Sequence, residues 1–240
     1  MNPMPSVWIE SSTPRQLPPE TEKHIRIPVG QTLLAANLTL PARANSLVIF
    51  SHGSGSSRFS PRNNFVAKHL QKMKMGTLLV DLLTPGEDSV YANRFNIDLL
   101  TDRLLSITKW VATHTDLKGM PIGYFGASTG AASALRAAIR LPQRIGAIVS
   151  RGGRPDLAQH KLGQVKAATL LIVGELDSDV LRLNQQAFEA LHCMKELRVI
   201  ANATHLFEEP GALEEVAQLA GTWFTTFLSP ADRGMVQSPE

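Results

Sequence analysis

A single cysteine, Cys193, stands in the 240 residues of this chain. One thiol cannot close an internal disulfide, so the fold is no cystine-stapled scaffold, and the scarcity favours a reducing, cytoplasmic setting. No apolar run reaches the roughly 20 residues that cross a bilayer. The first residues, MNPMPSVWIESSTPRQLPP, lack the basic start and apolar centre of a secretory leader. The charges, 24 basic against 21 acidic for a net +3, never gather into a block of five of one sign. Nucleic-acid surfaces cluster their lysines and arginines, so neither nucleic acid nor membrane is expected as a partner. The seven histidines show none of the spacing of a zinc site. No metal and no cofactor are expected.

What is present is 43% hydrophobic residues, arranged in short runs. Residues 1–20, rich in proline, read as an extended arm, and 230–240 as a flexible tail. Between them, 21–229 read as one domain, long enough to bury a core without a metal or a disulfide. A hairpin is expected over 23–29 and 32–40 around Gly30, although the second segment also suits a helix. Then apolar runs alternate with helical patterns. The runs are SLVIF, GTLLVDLL, PIGYF, IGAIVS, ATLLIVG and ELRVIA. The helical patterns include NNFVAKHLQKM, with Phe65, Leu70 and Met73 on one face, and IDLLTDRLLSITKWVATH. Such alternation indicates an α/β fold, a mostly parallel sheet with helices on both faces. Ligands of such sheets sit beyond the carboxyl ends of the strands.

Four loops there carry suggestive residues. GASTG follows Phe125 and puts Ser128 between a strand and a helix, as a nucleophile elbow requires. The plainer role for Ser128 is capping that helix. A serine needs a base. His69, His114 and His192 fall within or at the ends of helices, where packing explains them; His24 lies in the hairpin and His160 in a polar loop. His52 follows a strand but precedes Gly53 in SHGSGSS, where its ring suits bracing the loop. His205, in NATHLF after the last strand, can reach the sheet's carboxyl edge. The orienting acid is expected in GELDSDV, from Glu175, Asp177 and Asp179; Asp177 fits its place in the loop and Asp179 is the alternative. For the developing oxyanion, backbone N–H donors are expected at Thr129 and Ser54, with Gly55 possible. His52, Gly53, Gly55 and Arg151 are further candidates for touching substrate. Arg151 could clamp a carboxylate or phosphate; pairing with an acid such as Asp156 is the simpler role.

The order Ser128, Asp177, His205 resembles the chain order of the α/β-hydrolase triad. The segments VIFSHGSGSSRFSPRN, GYFGASTGAASA, VSRGGRPDLA, LLIVGELDSDVL and ATHLFEEPGALEEVA are similar to the dienelactone-hydrolase-like group of that superfamily. The resemblance implies an α/β-hydrolase fold with an N-terminal antiparallel hairpin. It implies a serine hydrolase that cleaves an ester, thioester or lactone of a small-molecule substrate through an acyl-enzyme. Two positions depart from the group. Its namesakes carry cysteine at the elbow where this chain has Ser128, and Asn202 replaces a glycine before the histidine. Only RGGRPDLAQHKLGQVKA separates IGAIVS from ATLLIVG, too little for a lid domain, so an open, shallow site is expected. The alternative is a non-catalytic binding module on the same fold. A nucleotide cradle at GASTG is disfavoured because no lysine follows and the glycine spacing differs.

Overall fold

The computed structural model describes residues 21–158 and 161–229. The expected arm, the expected tail and His160 lie outside the described residues. Eight strands form one sheet: β1 (Thr21–Val29), β2 (Thr32–Leu40), β3 (Leu47–Ser51), β4 (Gly76–Val80), β5 (Ile122–Ala127), β6 (Ile145–Arg151), β7 (Ala168–Gly174) and β8 (Lys195–Ile200). Their spatial order is β1-β2-β4-β3-β5-β6-β7-β8. β1 and β2 pair antiparallel, β2 joins β4 antiparallel, and every later pairing is parallel. This is the α/β-hydrolase architecture. The segment 32–40 settles as a strand because Leu34, Ala36 and Leu38 alternate into the core, and pairing with β4 overrides helix propensity.

The helices are α1 (Pro61–Lys72), α2 (Pro85–Asp88), α3 (Ile97–Thr113), α4 (Thr129–Arg140), α5 (Ser178–Ala190) and α6 (Ala212–Phe227). Alternate residues of the central strands feed two separate cores. Ile49, Tyr124, Ile148 and Leu171 join α3, α4 and α5 on one face. Phe50, Phe125, Val149 and Leu170 join α1 and α6 on the other. Strands β3, β4, β5 and β7 are buried along their whole length, which is why they read as unbroken apolar runs. β8 does not follow that pattern. It is an edge strand with Val199 exposed and charges at Lys195, Glu196 and Arg198, a composition that discourages edge-to-edge pairing.

Two local expectations need correction. The buried face of α1 is Asn63, Val66, Ala67 and Leu70, whereas Phe65 is exposed. The i, i+3, i+4, i+7 set starting at Asn63 faces the sheet, and a buried asparagine hid it. The stretch after β4, expected as loop, contains α2. Thr84 and Glu87 form a reciprocal capping box with Pro85 in the first turn, a signal legible in TPGE.

The chain leaves β3 toward β4 in one direction and later returns to β5 on the opposite side of β3. That reversal opens a crevice at the carboxyl ends of β3 and β5. The glycine-rich loop follows one of these strands and the GASTG turn follows the other. Between β6 and β7 the described residues form two short 3₁₀ turns, Pro155–Ala158 and Leu162–Gln164.

Candidate active site

β5 ends at Ala127 and α4 begins at Thr129, so one residue makes the whole turn. That residue, Ser128, has φ +50° and ψ −122°. A side chain held there costs about 1–3 kcal/mol. Its hydroxyl makes no capping bond to α4, which removes the capping role. Two glycines allow the turn to close. A Cβ on Gly130 would lie 2.1 Å from the Ser51 carbonyl oxygen, and one on Gly126 would lie 2.5 Å from the Ala131 Cα. The elbow is tied to β6: Ser128 N–H donates to the Arg151 carbonyl at 3.2 Å, and Arg154 N–H donates to the Ser128 carbonyl at 3.1 Å.

The loops after β7 and β8 carry the next two candidates. Asp177 immediately precedes α5 but makes no side-chain cap to it. Instead its Oδ2 lies 2.6 Å from His205 Nδ1. The Asp177 side chain is 15% exposed and that of His205 38%, so the carboxylate is sheltered while the ring has an open edge. A carboxylate at Nδ1 keeps the proton on that nitrogen and leaves Nε2 as an acceptor. The histidine turn needs a left-handed residue, and Asn202 supplies it with φ +55°. Its N–H donates to Glu175 at 2.8 Å, which accounts for Glu175. Asp179 is turned to solvent, 3.9 Å from Arg182, and does not reach the imidazole.

Ser128 and His205 line one cavity of about 240 Å³ with Gly53, Ser54, Ser56, Ser60, Arg62, Ala127, Arg151 and Leu206. A larger hollow of about 910 Å³ beside α5 is lined by neither Ser128 nor His205.

Thr129 is the first residue of α4, and an N–H at that position has no acceptor within its own helix. The Ser54 N–H, expected as a second open donor, is already used: it donates to Thr129 Oγ1 at 2.9 Å. A half-buried N–H takes the nearest acceptor, and the threonine hydroxyl is the one beside it. Gly55 adopts φ +67° and lies beside Leu83 and Arg94 in a neighbouring recess, away from Ser128. His52 braces the loop. Its Nδ1–H donates to the Gly53 carbonyl at 2.9 Å, and its Nε2 accepts the Leu82 N–H at 3.1 Å. Both ring nitrogens are therefore engaged, and none is left for a substrate. Burial pushes the pKa of this imidazole down, outweighing the Gly53 bond and the fields of Asp81 and Asp88.

Arg151 also differs from its simpler expectation. Asp156 pairs with Arg154 at 2.7 Å, not with Arg151. The Arg151 guanidinium lies 5.9 Å from the centre of the Phe207 ring. Its Nε and Nη1 have no hydrogen-bond partner among the described residues. Arg62, which the sequence reading passed over, stands beside it in the cavity. One signal was available. SPRN starts a helix with Ser60 as cap and Pro61 in its first turn, and a basic residue in a first turn opposes the helix dipole.

No family model matches the sequence. A Mycobacterium tuberculosis protein named "Putative phosphoribosyl transferase" is 50% identical over 211 residues, which are 88% of this chain and 48% of that protein. The chain thus spans about half the length of the curated relatives it matches. Among solved structures, a dienelactone hydrolase from Anabaena variabilis superposes with a TM-score of 0.85 at 49% identity, covering 87% of this chain and 99% of its own. A serine hydrolase without lid from Xanthomonas campestris gives 0.71 at 19% identity, covering 93% of this chain and 99% of its own. An α/β serine hydrolase homologue from Coxiella burnetii gives 0.70 at 20% identity, covering 83% and 96%. The last two speak for the fold alone.

Proposed function

Because this chain belongs to the dienelactone-hydrolase-like group of the α/β-hydrolase superfamily, we propose that it is a serine hydrolase of carboxylic esters, thioesters or lactones. The observation that carries this reading is Ser128 held at φ +50° on the elbow, in one cavity with an imidazole whose far nitrogen meets Asp177. Strain of that kind persists only where surrounding structure enforces it, and it collects at reactive groups.

In this mechanism Ser128 Oγ attacks the acyl carbon as His205 Nε2 takes its proton. Asp177 stabilises the imidazolium that forms and holds the ring orientation. The oxyanion accepts from the Thr129 N–H. It also accepts from the Ser54 N–H once the Thr129 hydroxyl has rotated away. The imidazolium returns its proton to the leaving oxygen or sulfur. Water, deprotonated by the same nitrogen, then cleaves the acyl-enzyme, releasing the acid and restoring Ser128. A carboxylate-bound imidazole has no comparable use in a pure binding module. Transferase chemistry belongs to the name of a relative of which this chain spans about half, and the elbow gives it no support.

The test is covalent labelling with a fluorophosphonate probe. Wild type should label and Ser128→Ala should not. Equal labelling of the two would remove Ser128 from the mechanism.

A further inference from the structure

Arg151 is a charge without a counter-charge among the described residues. It is 7% exposed, its Nε and Nη1 have no partner among the described residues, and it lines the cavity of Ser128 and His205. Arg62 lines the same cavity. Its Nη1 bonds Glu208 at 2.8 Å, but its Nε is also buried without a partner. Two guanidinium groups facing one small space repel each other, and burial strips Arg151 of water. An uncompensated buried charge is strongly destabilising, so an anion belongs between them. Burial, with the charge of Arg62 adding to it, lowers the Arg151 pKa to about 10. It therefore remains a cation at neutral pH.

The anion can be narrowed by charge and shape. The two arginines carry two positive charges, and Glu208, whose side chain is 64% exposed, cancels one from the solvent side. The N-terminus of the twelve-residue α1 points the same way, with no acid in its first turn. Such an end is equivalent to roughly half a positive charge. The remainder, about one and a half charges, matches a phosphate monoester at neutral pH, which carries about −1.5 to −2. Donors come from separate elements: Arg151 from β6, Arg62 from α1, the hydroxyl of Ser60, which caps α1, and Ser56 from the loop after β3. A tetrahedral group with three terminal oxygens can meet all of them, whereas a planar carboxylate presents two oxygens in one plane.

We propose that Arg151 and Arg62, with the N-terminus of α1, hold a phosphate group of the substrate beside Ser128, so that this hydrolase acts on carboxylic esters of phosphorylated alcohols or acids. The inference rests on the serine-hydrolase reading. The phosphate is a handle: the bond broken is the carboxylic ester, and no phosphoryl group moves.

The experiment compares three acetyl esters that differ only at the far end: acetylglycerol phosphate, acetylglycerate and acetylglycerol. Wild type should favour the phosphate ester over the neutral one by about 100-fold in kcat/KM, the worth of two charge-assisted hydrogen bonds. The carboxylate ester should fall between them. Arg151→Met and Arg62→Gln should each lower the phosphate-to-neutral ratio about 10-fold, the worth of one such bond. Inorganic phosphate should slow fluorophosphonate labelling of wild type more than of Arg151→Met. If Arg151→Met shows no cooperative melt, Arg62→Gln, on a partly exposed residue, carries the same ratio. Labelling of Ser128 with equal turnover of the three esters would overturn the phosphate site alone, as would a carboxylate ester turned over as well as the phosphate ester. Absence of Ser128 labelling would overturn the hydrolase reading itself.

Discussion

The Asp177→Asn substitution tests the link between geometry and chemistry most directly. It keeps the shape of the side chain and removes its charge from a point 2.6 Å from the imidazole. At that separation the Coulomb attraction is about 6 kcal/mol in the effective dielectric of about 20 that suits groups near a protein surface, and solvent at the open edge of the ring screens part of it, so a loss of about 3 kcal/mol, or roughly 200-fold in rate, is expected. An asparagine can also present its NH₂ to Nδ1 and stabilise the wrong tautomer, which extends the expected loss to about 10²–10⁴-fold. The assay is steady-state hydrolysis of p-nitrophenyl acetate across pH 6–9. The charge acts on the imidazolium formed in the transition state, so kcat should fall and KM should change little. Asp179→Asn is the matched control. That carboxylate is 93% exposed, and its removal should alter kcat by less than about twofold. Asp177→Asn retaining nearly full activity, or Asp179→Asn losing it instead, would refute the reasoning.

Three further outcomes follow from the same coordinates. Ser128→Gly should stabilise the fold by about 1 kcal/mol, because glycine accepts the positive φ; a melting temperature raised by about 2–4 °C, with labelling abolished, is the expected pair of readings. Thr129→Val removes the hydroxyl that occupies the Ser54 N–H and should raise kcat by up to about fivefold, the worth of one neutral hydrogen bond; a fall beyond tenfold would make that hydroxyl a donor in its own right. Burial lowers the pKa of His52 from its ordinary 6.5, so the unfolded chain binds the proton first as pH drops. The stability contributed by the neutral ring is complete above pH 6.5 and is lost as pH falls through the lowered folded value. Urea melts from pH 8 to pH 5 should show that slope, and His52→Asn should flatten it.

Much of the fold was legible because parallel strands covered on both faces must be apolar throughout, and β3, β4, β5 and β7 are. The misread face was that of α1, where a buried Asn63 stands in the sheet-facing row, whereas β8 was legible as a strand despite the charges along its exposed edge. The candidate loops were equally legible, since short loops after strands of such a sheet converge at its carboxyl edge. Partnership within those loops was not. Spacing alone left Asp177 and Asp179 as rivals, and it offered Asp156 to Arg151. It also left the Ser54 N–H open for an oxyanion.

Chain order and hydrophobic rhythm alone determined the architecture and the loops in which the candidate residues lie, because burial demands a periodic pattern and strand ends are marked by glycine, serine and asparagine. Only the tertiary structure decided which side chains meet. It turned Asp177 toward the imidazole, engaged both nitrogens of His52, gave Asp156 to Arg154 and left two arginines facing one cavity. Hydrogen bonds and ion pairs depend on ångström distances between segments far apart along the chain. No periodicity in the sequence encodes those distances.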